Sequence, residues 1–89
     1  MPTVHTEHIY VEKKPGVCGG EPVITGTRIP VRMLFQRISS GDTIEDIHHS
    51  YPHLTLAQIH DALSYCYDHI DEINKYIQEE EAAYCQKKQ

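Results

Sequence analysis

From Gly16 to Val31 the chain reads Gly-Val-Cys-Gly-Gly-Glu-Pro-Val-Ile-Thr-Gly-Thr-Arg-Ile-Pro-Val, and no other stretch restricts the fold as much. It holds four of the chain's five glycines, together with Pro22 and Pro30. Glycine reaches positive φ and proline fixes φ, so a run this dense in both prescribes a particular chain path. Val23-Ile24 and Arg28-Ile29 flank Thr25-Gly26-Thr27, which predicts a tight hairpin with Gly26 in the left-handed region. Gly19, Gly20, Pro22, Gly26, Thr27 and Pro30 form the structural motif of this arm. Upstream, His8-Ile9-Tyr10-Val11-Glu12 reads as a short strand, and Lys14-Pro15-Gly16 as a turn. A lone hairpin is unstable in water, so these strands need a third strand, a helix or another subunit.

Helical patterns follow. Pro30 suits the first position of a helix whose buried stripe is Val31, Leu34, Phe35 and Ile38, and Gly41 suits its C-terminal stop. Asp42 and Glu45 read as the cap of a second helix with Ile44 and Ile47 inside, stopped by Tyr51-Pro52. Thr55 and Gln58 form a capping-box pattern, with Leu54 and Ile59 as a hydrophobic staple. Leu56, Ile59, Leu63, Cys66, Ile70, Ile73 and Ile77 then recur at spacings of three and four. This predicts one helix of about 25 residues, about 37 Å long. Its first half packs on the domain. Its second half meets another chain through Ile70, Ile73, Tyr76 and Ile77. The ending Gln86-Lys87-Lys88-Gln89 reads as frayed. The fold class is mainly α with an N-terminal β arm: residues 1–30 the arm, 31–69 a three-helix core and 70–89 a helical extension of the same single domain.

At 89 residues the chain buries only about 60 to 65 % of its unfolded surface, which favours self-association as a dimer or a dimer of dimers. The N-terminal hairpin and first helix are the expected seat of that contact. Cys18, Cys66 and Cys85 are an odd number without CxxC spacing and read as reduced thiols of a cytoplasmic protein. Neither a secretory leader nor a membrane-spanning run is legible. GxGxxG, Walker, HExxH and GxSxG patterns are missing, so no enzyme and no cofactor are expected.

Three helices joined by short turns fit a plain bundle or a helix-turn-helix. In the second case the start of the third helix enters the major groove, with Thr55, Gln58 and His60 at the DNA and Gln58 able to read adenine. Asp61 would repel phosphate, and no Lys or Arg lies between Ile38 and Asn74. Arg28, Arg32 and Arg37 must then supply the positive charge, against a net charge of −5. Arg28 has an equal alternative in bracing a carboxylate or capping carbonyls. Among seven histidines only the Cys66 and His69 pair, near His53 or Glu72, has ligand spacing. Zinc sites usually show two such pairs, so no metal is expected. Tyr65, Tyr76 and Tyr84 lie off the apolar stripe and suit either an interface or helix-edge packing.

The run Gly16–Val31, continued by Ser-Gly-Asp-Thr-Ile-Glu-Asp-Ile-His-His-Ser-Tyr-Pro-His-Leu-Thr-Leu over residues 40–56, closely resembles the family called domain of unknown function 433. The pairing of GTRIPV with YPHLTL is the specific part, and the resemblance extends over roughly Ile9 to His69. It implies a β arm followed by a homeodomain-like three-helix core. It also implies a VapB-type antitoxin that dimerises, holds a PIN-like ribonuclease toxin with its C-terminal part and binds its own promoter DNA as a transcription regulator.

Overall fold

The computed structural model describes residues 3–88, with side chains as far as Glu80. Expectations for Glu81, Tyr84 and Cys85 therefore lie outside the described side chains. Three short strands, β1 (Val4–His5), β2 (Val11–Lys13) and β3 (Pro22–Ile24), form an antiparallel sheet with β2 in the centre. Val11 faces Ile24 and Lys13 faces Pro22 across β2 and β3, while Val4 faces Lys13 across β1 and β2. The arm is thus a three-stranded sheet rather than a hairpin alone. The expected tight turn is present beside it: the Ile24 amide donates to Ile29 O at 3.0 Å, and Gly26 sits at φ +79°. Thr27 locks this turn, since its hydroxyl donates to Ile24 O at 2.8 Å and accepts the Ile29 amide at 3.1 Å.

Helices α1 (Val31–Ser39), α2 (Ile44–Ser50), α3 (Leu56–Asp68) and α4 (Ile70–Lys88) follow. Pro30 is the N-cap of α1 and not its first helical residue, because its ψ of 137° is extended. Gly41 takes φ +103° just past the end of α1, as a C′ residue should. The cap of α2 is Thr43 with Asp46, one residue beyond the expected Asp42 and Glu45. Asp42 is instead bound by Arg37 Nε at 2.7 Å, which leaves the threonine hydroxyl to take the cap. Thr55 and Gln58 form the expected capping box of α3.

The expected single long helix is broken. His69 has φ −126° and ψ 44°, and α4 turns there to run back beside α1. The bend puts Ile73 wholly inside the core, at 0 % exposure, with Ile77 packed against it. Burying one isoleucine contributes about 1.5–3 kcal/mol, enough to offset one non-helical residue. A straight helix would leave both side chains in water. The backbone of α4 is helical as far as Lys88, and its Glu, Ala, Gln and Lys residues are good helix formers. The core gathers Val11, Ile24, Val31, Leu34, Ile47, Leu54, Ile59, Ala62, Leu63, Tyr65, Cys66 and Ile73, so the sheet and all four helices share one interior.

Candidate functional site

Three surfaces bear on function. The first is the turn between α2 and α3. The Leu54 amide donates to Tyr51 O at 2.9 Å, so the chain reverses within Tyr51–Thr55 and presents the start of α3. His60 is exposed there. The Thr55 hydroxyl accepts the Gln58 amide at 3.1 Å, and Gln58 Oε1 accepts the Thr55 amide at 2.7 Å. Both side chains are thus held by the helix cap. Arg32 is 14 % exposed and pairs with Glu21 at 2.8 Å and with Glu80. Burial pushes the Glu21 carboxyl up, and the Arg32 guanidinium only partly counters it. Arg37 pairs with Asp42. Arg28 is exposed and has no ion pair among the described residues, while its carbonyl accepts the Cys18 thiol at 3.3 Å. Two of the three arginines are therefore paired locally with carboxylates.

The second surface is apolar. Of the residues assigned to an interface by the sequence, Ile73 belongs to the subunit's own core and Ile77 is packed against it. Tyr76 is half-buried, and Ile70 is exposed at the bend. Among the described side chains the most exposed hydrophobic aromatic is Tyr67, at 62 %, whose ring stands edge-on to Phe35 of α1 at 5.7 Å. Leu56, 49 % exposed, lies three turns earlier on the same side of α3. Spacing alone did not select Tyr67, since it falls off the apolar heptad.

The third surface is a polar seam between the arm and α3–α4. Asp61 Oδ1 lies 2.9 Å from His8 Nδ1, and Asp61 Oδ2 accepts the Tyr10 amide at 2.9 Å. His8 Nε2 lies 2.7 Å from Asp68 Oδ2, and His69 Nε2 bonds Glu7 Oε1. Burial disfavours the His8 imidazolium, but Asp61 and Asp68 outweigh this and hold its pKa above the ordinary value. The Tyr65 ring stacks on His69 and meets His8 edge-on. Asp61, which sequence reasoning set against DNA phosphate, thus holds the arm in place. The partners stand 51 to 62 residues apart, too far for any local spacing to reveal. Cys66 and His69, despite their ligand-like spacing, face different partners: Cys66 is buried against Val31 O, and His69 faces Glu7. A shallow open depression near Lys13, Pro15, Gly16, Gly19 and Gly20 brings the glycine turn to the surface.

Residues 11–66 match the family model described as protein of unknown function, DUF433. No curated protein matches the chain. A crystal structure of a DUF433 member protein from Anabaena variabilis superposes with a TM-score of 0.74 at 32 % identity, covering 78 % of this chain and 68 % of the other. No helix among the described residues is long and apolar enough to cross a membrane.

Proposed function

The chain belongs to the DUF433 family of proteins of unknown function, and from that premise we propose that it is an antitoxin-like module that works by protein contact. Copies join through the Phe35–Tyr67 face, and the outer side of α4, with Ile70 and Tyr76, is offered to a PIN-like ribonuclease toxin. The supporting observation is Tyr67, a large ring left in solvent with Phe35 packed edge-on against it. Exposed, rigidly held tyrosines are the usual anchors of protein interfaces. No catalytic step is assigned to it.

A second reading, promoter binding, is favoured by the tight reversal between α2 and α3. In it α1–α3 act as a homeodomain-like helix-turn-helix, with Arg28 and His60 as the contacts still available. Fluorescence anisotropy on the chain's own upstream DNA, with and without the protein encoded beside it, separates the two. Complex formation with the neighbour and no sequence-preferring DNA binding supports protein contact. Salt-dependent, sequence-preferring binding by the chain alone establishes the second reading.

A further inference from the structure

We propose that Glu7, His8 and Asp68 form a site for a divalent cation of the zinc type that clamps the N-terminal arm to the α3–α4 junction. The donor atoms of Glu7, His8 and Asp68 all lie within 4.8 Å of one another. His8 Nε2 is 2.7 Å from Asp68 Oδ2 and 3.9 Å from Glu7 Oε1. Tetrahedral zinc with ligands at about 2.0–2.2 Å needs donors roughly 3.3 Å apart, between those two separations. The carboxylates of Glu7 and Asp68 are exposed and free to adjust, and no donor separation exceeds 4.8 Å.

The surroundings of His8 match those of a metal-bound imidazole. Its side chain is 10 % exposed, and its other nitrogen faces Asp61, which is itself fixed by the Tyr10 amide. A carboxylate behind a ligating histidine sets the tautomer and strengthens the ligand. The cation takes the Nε2 lone pair, the Nδ1 proton stays toward Asp61, and any proton on Nε2 leaves to water. Imidazole with two carboxylates suits zinc, cobalt or nickel better than magnesium or calcium. The break at His69 is what lets the end of α3 and the start of α4 meet the arm together.

The test uses the full chain without a His-tag, freed of metal by a chelator and titrated calorimetrically with Zn²⁺. One ion per chain is expected, with a rise in Tm and, for Co²⁺, the visible spectrum of a tetrahedral site. The double variant Glu7→Gln, Asp68→Asn keeps side-chain size and should abolish stoichiometric binding. Asp61→Asn should weaken it about 10- to 100-fold. Unchanged affinity in the double variant, or no binding by the natural chain, overturns the proposal. Nitrogen chemical shifts of the unaltered chain decide it without any variant. Zinc should move His8 Nε2, and shifts confined to His48, His49, His53 or His60 would place the ion elsewhere.

Discussion

The Tyr65 hydroxyl donates to Glu72 Oε1 at 2.6 Å, tying the last turn of α3 to the first turn of α4 across the break at His69. Lys13 Nζ donates to the other Glu72 oxygen at 2.7 Å, so β2 is fastened to the same point. Tyr65 is buried, and its hydroxyl pKa is raised by burial and by the Glu72 carboxylate. Tyr65→Phe keeps the ring but removes the donor. It should cost about 1–2 kcal/mol in urea unfolding and speed amide exchange in the first turn of α4 more than in α2.

Glu72 also sets an acid dependence. Burial would raise its carboxyl, but Lys13 and Tyr65 outweigh burial and hold its pKa below the ordinary 4.5. A depressed folded-state pKa gives stability that is present above the ordinary value and lost as pH falls through the lower one. Glu72→Gln should be less stable than the natural chain at neutral pH, and the gap should narrow on acidification below about pH 4.5. Urea midpoints over a pH series check this; a gap constant with pH would contradict it.

The turn after β3 depends on two residues with different roles. Gly26 holds φ +79° and gives its amide to Glu12 Oε2 at 3.1 Å. Gly26→Ala should cost about 1–2 kcal/mol through backbone strain alone, since nothing lies within reach of an added Cβ. Thr27→Ala loses two hydrogen bonds and should cost about 1–2 kcal/mol, whereas Thr27→Ser should retain most of them. Thermal melts of the three variants distinguish the effects.

The thiols should differ in reactivity. Burial pushes the Cys66 pKa up to about 12, and the side chain has no solvent exposure. Cys18 is half-exposed. Alkylation followed by peptide mapping should label Cys18 in the native protein, and Cys66 only as fast as the whole domain opens.

Much of this fold was legible because its signals are local. Gly26 and Gly41, the Thr55–Gln58 box and the stripe from Val31 to Ile38 each involve residues within a few positions of one another. The slip from Asp42 to Thr43 arose because two adjacent residues both suit a cap, and Arg37 decides between them. The break at His69 had no Gly or Pro to announce it. It results from Ile73 reaching the core and from Glu7, Lys13 and Tyr65 holding residues on either side. The heptad spacing therefore suggested a partner stripe, when Ile73 was needed at home. The polar seam was invisible for the same reason, since His8 and Asp68 meet only after the sheet has docked on α3.

The measurement that bears most directly on the proposed role is the mass of the full chain in solution, by light scattering at micromolar concentration, alongside Tyr67→Asp. Association through the Phe35–Tyr67 face predicts the mass of two or more chains for the natural protein and of one for the variant. A single-chain mass for the natural protein, or an oligomer that Tyr67→Asp leaves intact, would contradict that account.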